Sequence, residues 1–96
     1  KIDQILRVNY IVQILRQRKD GASYKEIENF LGEKFSDWDF NFSPRTFIRD
    51  KQSIKKIAGI EIAYSRSKKT YYISHEELEG IQENIFDTLL LIEAYR

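Results

Sequence analysis

The sequence predicts an α+β domain, mainly helical: three helices, a β-hairpin and a further amphipathic helix. Three observations predict it. Apolar residues recur at helical spacing in three separate stretches before residue 58, and each stretch ends at or near a glycine or a polar turn. After Ala58-Gly59 the pattern changes to strand-like alternation, returning through a polar turn. From Ser74 onward helical spacing resumes and lasts to the end.

The first helix is expected over about residues 3–19. Leu6, Val8, Ile11, Val12, Ile14 and Leu15 fall at helical spacings with no Gly or Pro between them, and Val8, Ile11, Val12 and Leu15 form the side turned to the core. Asp20-Gly21 marks a turn. Ser23-Tyr24-Lys25-Glu26 is a capping box, in which serine and glutamate each satisfy a free N–H at a helix start. The second helix is short: Ile27, Phe30 and Leu31 face inward, and Gly32 is read as its stop.

The third helix, about 44–57, is the stretch around which the chain is organised. Ser43 is a good N-cap, and Pro44, the only proline, sits at the first helical position. Phe47, Ile54 and Ile57, flanked by Ile48, make an apolar stripe, while Arg45, Thr46, Arg49, Lys55 and Lys56 occupy the other face. Arginines and a threonine at the N-terminal end of a short helix suit a DNA major groove.

Between Leu31 and Ser43 lie eleven residues, where helix-turn-helix connections usually have three or four. Phe35, Trp38, Phe40 and Phe42 stand in this stretch. They can pack as a satellite cluster over the second and third helices, or they can dock a partner or DNA. Asp37 and Asp39 beside Trp38 oppose contact with phosphate and favour packing.

In the hairpin, Ile60, Ile62 and Tyr64 share one face of a strand, with Glu61 and Ala63 on the other. Ser65-Arg66-Ser67-Lys68-Lys69 is a basic turn, and Thr70-Tyr71-Tyr72-Ile73 returns as the second strand. A basic hairpin directly after a basic helix is the arrangement of a winged helix-turn-helix, whose wing (here 64–71) lies on the DNA backbone or minor groove. The last segment opens on a second capping box, Ser74-His75-Glu76-Glu77. Leu78, Ile81, Ile85, Leu89 and Ile92 then form an apolar seam about four turns long, able to dock on the domain or to pair with its twin in a homodimer.

Net charge is only +1, but it is unevenly spread. Residues 1–43 balance seven Lys/Arg against seven Asp/Glu. Residues 44–73 carry eight against two, a local +6, and residues 74–96 carry one against six, a local −5. Positive charge concentrated on one third of the chain is the electrostatic footprint of a polyanion binder. Hydrophobic content of 42% suits a globular domain, and no run of eighteen apolar residues could span a membrane. Zero cysteines remove disulfides and thiolate metal sites and fit a reducing, cytoplasmic setting. A chain that starts at Lys1 and stops within LLLIEAYR is expected to be a piece of a longer protein.

SPRTFIRD, the helix after it, IAGIEIAY and the hairpin ending KKTYYI resemble the N-terminal winged helix of WYL-domain transcriptional regulators and of related DeoR-like repressors. Ser43, Arg45, Thr46, Phe47, Arg49, Asp50, Ile54, Gly59, Ile60, Tyr71 and Ile73 fall on that pattern, and the likeness covers about residues 7–73. The resemblance implies a winged helix-turn-helix over 1–73, interrupted by the aromatic insertion 32–42. It also implies a connector or dimerisation helix over 74–96, leading to a further C-terminal domain that would hold any effector site. It places Arg45, Thr46 and Arg49 toward the groove, and Asp50 either orienting Arg49 or holding the helix to the rest of the domain. Lys51 departs from the pattern, standing where the family has an apolar core residue. Either the inner face is rotated or Lys51 snorkels.

The leading expectation is sequence-specific binding of double-stranded DNA by a bacterial regulator. Arg45, Thr46 and Arg49 would contact bases, and Ser43, Lys55, Lys56, Arg66, Ser67, Lys68 and Lys69 would contact phosphates. The alternative is a winged-helix module that binds protein through the aromatic insertion and the acidic last helix. No enzyme, metal or cofactor is expected. His75, the only histidine, sits in a capping sequence, and the four glycines form no phosphate loop.

Overall fold

A computed structural model describes residues 2–35 and 42–74. Within them the order is α1 (Ile2–Gln17), α2 (Tyr24–Lys34), α3 (Pro44–Ala58), β1 (Ile62–Ser65) and β2 (Thr70–Ile73). The fold is α+β and mainly helical, with three helices and one two-stranded antiparallel sheet. Residues 75–96, which hold the second capping box, the acidic segment and its seam, lie outside the described residues. So do 36–41, with Trp38 and Phe40.

α1 is the central element because it buries more residues than either of the other two helices. Leu6, Val8, Ile11, Val12, Ile14 and Leu15 are all buried, a wider face than the four positions expected. Its end is closed by the Arg18 N–H to the Ile14 carbonyl (3.1 Å) and the Gly21 N–H to the Arg18 carbonyl (3.0 Å). Among the described residues, no helix is long and apolar enough to cross a membrane.

α2 starts as its sequence dictates. Ser23 Oγ accepts from the Glu26 N–H (3.1 Å), and the Glu26 carboxylate accepts from the Ser23 N–H (2.9 Å). That backbone bond, joined by Arg18, holds the Glu26 carboxyl below the ordinary carboxylate range. The end of α2 corrects an expectation: Gly32 does not stop it. The helix continues to Lys34 and is capped at Phe35, whose N–H reaches the Leu31 carbonyl (3.0 Å). A mid-helix glycine costs only about 1 kcal/mol. Burying Phe35, one turn beyond buried Leu31 and edge-on to Tyr10 at 5.6 Å, outweighs that cost.

α3 buries Phe47, Asp50 and Ile54, and here the stripe read from the sequence needs a second correction. Ile48 and Ile57 are exposed, at 52% and 57%. Ala58 lies close to three full turns (about 10.8 residues) beyond Phe47. It regains the stripe and is partly buried, whereas Ile57, in the last turn of the helix, is left uncovered. The polar Asp50 takes the place in the buried stripe, with no exposure at all. Arg7 of α1 makes this tolerable. Its guanidinium meets the carboxylate with two N–H groups, from Nε and from Nη2 (2.9 Å to Oδ1). Gln4 Nε2 donates to Ser53 Oγ (3.1 Å) one turn along the same contact.

The hairpin pairs Ile62 with Ile73, Ala63 with Tyr72, Tyr64 with Tyr71 and Ser65 with Thr70. Ile60 is buried but precedes the first strand, and Tyr64 is 51% exposed, its ring 4.8 Å from Tyr71. The turn between α1 and α2 is sewn to the other edge of β2. Ala22 and Tyr71 exchange both backbone hydrogen bonds, at 2.9 and 2.8 Å. Gly21 is required there: its φ is +83°, and a Cβ would run into the Tyr71 carbonyl. Gly59, the left-handed cap of α3 at φ +69°, faces open space.

Two stability outcomes follow from this packing. Arg7→Leu should cost about 3–5 kcal/mol in urea unfolding by leaving a buried carboxylate unpaired, and adding Asp50→Leu should restore much of it. A single-variant loss below about 1 kcal/mol would show that the pair does not hold α1 to α3. Gly21→Ala should destabilise clearly more than Gly59→Ala, whose cost is the left-handed strain of about 1–2 kcal/mol alone. Equal thermal shifts for the two would contradict the backbone clash.

Candidate nucleic-acid interface

The outward face of α3 is set by what lies behind it. With Phe47, Asp50 and Ile54 inside, Arg45, Arg49, Gln52 and Lys56 fall within about 40° of one line along the opposite side, at about 100° per residue. All four are exposed. Arg45 and Arg49 stand one turn apart at the N-terminal end, where the first turn carries no acidic residue to offset the helix dipole. Ion pairs among the described residues involve Arg7, Arg18, Lys25, Lys55 and Lys68. Arg45, Arg49, Lys56, Arg66 and Lys69 take part in none of these pairs.

Ser43 and Thr46 are placed differently. Ser43 Oγ accepts from the Thr46 N–H (3.2 Å), and the two hydroxyls share a hydrogen bond (3.1 Å). Both side chains are half-buried and committed to capping α3. Thr46 therefore sits at the flank of the arginine line rather than on it.

The hairpin turn, residues 66–69, lies beside Asp20 of the α1–α2 turn. Ser65 Oγ accepts from the Lys68 N–H (3.2 Å) and shares a hydrogen bond with Ser67 Oγ (3.2 Å), which organises the turn from within. Lys69 takes a left-handed backbone conformation, φ 56°, unusual for a residue with a Cβ. Lys68 points back, its ammonium 3.0 Å from an Asp20 carboxylate oxygen, while the Thr70 hydroxyl donates to the Asp20 carbonyl (2.9 Å). Lys55 faces Glu61 at 3.3 Å. Both pairs are exposed, and such pairs stabilise by about 0–1 kcal/mol, so a phosphate can displace the acid. Among the described residues, Arg66 and Lys69 at the tip have no ion-pair partner.

Lys51 answers the question its position raises. The helix is not rotated: Phe47 and Ile54 still point inward. The Lys51 stem runs along the edge of the core, and its ammonium lies 4.8 Å from the Phe47 ring centre and 4.7 Å from that of Tyr71. Phe47 also meets Tyr71 edge-on at 4.8 Å and leans on Tyr24 and Phe42. Phe42 stacks on Tyr24 at 5.4 Å and 11°. Both ends of the aromatic stretch, Phe35 and Phe42, thus pack against the helices.

Sequence reasoning did not single out Gln52, which was legible from its spacing to Arg45 and Arg49. Ile48, read from the sequence as flanking the apolar stripe, lies exposed at the outward flank. Asp50 does not orient Arg49; its carboxylate is engaged by Arg7 on the opposite side of the helix. The seam positions Leu78, Ile81, Ile85, Leu89 and Ile92 lie outside the described residues. Comparison with models of known families, with curated proteins and with solved structures gave no match.

Ser43→Ala should cost about 1 kcal/mol of stability through the lost cap. Urea unfolding measures it, and an unchanged midpoint would mean the hydroxyl pair does not hold the start of α3.

Proposed function

We propose that the chain is a winged helix-turn-helix domain that binds double-stranded DNA sequence-specifically, as the DNA-binding part of a bacterial transcriptional regulator. The observation that carries this reading is the line of exposed, unpaired Arg45 and Arg49 at the N-terminal end of α3. The inner face of that helix is fixed to α1 and to β2. An α-helix fits the major groove, and arginine is the side chain best matched to guanine O6 and N7. Lys56, Arg66 and Lys69 supply phosphate contacts, joined by Lys55 and Lys68 once phosphate replaces Glu61 and Asp20. The resemblance of SPRTFIRD and the hairpin to WYL-domain regulators supports the same assignment and suggests the class of regulator.

In this reading α3 enters the major groove and the turn 66–69 lies along the backbone or in the minor groove. Thr46 contributes a backbone or flank contact rather than a central one, because its hydroxyl is engaged with Ser43. The competing reading is a winged helix that binds protein through 32–42 and the acidic last segment. Charge reversal at the hairpin turn separates the two, since it would leave protein binding intact.

Fluorescence anisotropy of a labelled random-sequence duplex, titrated across a range of salt, tests the proposal. Log affinity should fall against log salt with a slope of about 0.9 per phosphate contact. Arg49→Ala should cost about 1–3 kcal/mol on a preferred sequence and relax specificity there. Lys69→Glu should weaken all sequences alike. Absence of binding at low salt would sink the DNA reading.

A further inference from the structure

Ile48 is the outlier on the outward side of α3. A large aliphatic side chain, 52% exposed, stands among Arg45, Arg49 and Gln52, where nothing in the described fold requires it. A single exposed isoleucine needs no explanation on an ordinary surface. This one has a defined setting. With Lys51, Gln52, Lys55, Glu61 and Ile62 it lines an open groove of about 300 Å³ between α3 and β1. Ile48 and Ile62 give that groove an apolar component on an otherwise cationic side of the molecule.

The occupant has to combine negative charge with a small apolar group. The charge must meet the unpaired arginines beside Ile48, and the apolar group must meet Ile48 itself. A DNA major groove offers both, and its apolar group is the C5-methyl of thymine. We propose that Ile48 is a specificity-determining residue that recognises a thymine methyl group in the bound site. The inference rests on the DNA-binding reading above and goes beyond it by naming the base and the group read. Gln52, one turn further along α3, carries the carboxamide that matches adenine N6 and N7. Together the two side chains favour an A·T pair within the stretch read by α3, next to positions read by Arg45 and Arg49.

The test separates this inference from the reading beneath it. Duplexes are first selected from a random-sequence pool with the wild-type chain. Each thymine of the selected site is then replaced in turn by deoxyuridine, which removes the methyl group and nothing else. At one or two positions the wild type should lose about fourfold in affinity, the factor that burying one methyl-sized group is worth. Ile48→Ala should bind the thymine and deoxyuridine duplexes equally, and Ile48→Val should keep part of the discrimination. Unchanged circular dichroism would show that both variants fold, as an exposed position allows. Indifference of the wild type to deoxyuridine everywhere, a selected site without thymine, or discrimination that survives Ile48→Ala would overturn the role of Ile48 while leaving DNA binding intact. Failure to select any duplex would instead remove the DNA reading, and this inference with it.

Discussion

The Arg7–Asp50 pair is the constraint on which the rest of the structure depends. A carboxylate with no solvent exposure is tolerable only when its charge is met and its oxygens are hydrogen-bonded. Arg7 does both with a two-pronged contact from α1, and its planar fork fixes direction as well as distance. α3 is thereby locked in rotation about its own axis. A slip of one residue would turn the helix by about 100°. It would bring Ile48 or Arg49 toward α1 and expose Phe47 or Asp50. The set of side chains that α3 turns outward depends on this lock.

The second constraint is aromatic. Phe47 is the point where α2, α3 and β2 meet, with Tyr24 and Phe42 on one side and Tyr71 on the other. The Lys51 ammonium lies over two of these rings, so a cation at the rim of the core is stabilised by ring faces rather than by an acid. Tyr71 also carries backbone bonds to Ala22, which fasten the hairpin to the α1–α2 turn. Because β2 is held along both edges, by β1 and by Ala22, the turn 66–69 is fixed relative to the α1–α2 turn.

The surface divides its cations by partner. Lys55 and Lys68 sit against Glu61 and Asp20, while Arg45, Arg49, Lys56, Arg66 and Lys69 meet no acid among the described residues. The unpaired cations lie on the two elements that project, the outward line of α3 and the hairpin turn. This distribution of unpaired cations underlies the proposed function.

The sequence by itself determined the elements whose causes are local. The Ser23–Glu26 capping box, the Ser43–Pro44 start of α3, the left-handed Gly59 stop and the basic hairpin turn are all set by residues within a few positions of one another. Their chemistry decides in the same way wherever the chain goes. The α1 core and the exposed arginines were legible from periodicity. Tertiary structure decided the rest. Gly32 continues its helix because Phe35 finds Tyr10, a residue from another element. Ile57 looks apolar enough for the core but is left uncovered in the last turn of α3, and the burial of Asp50 depends on an arginine 43 residues away. Nor could the pattern show that Ala22 would bond to Tyr71, or that Lys51 would lie over two rings. These contacts join distant segments, and hydrophobic spacing records only which face of an element is apolar, not what meets it.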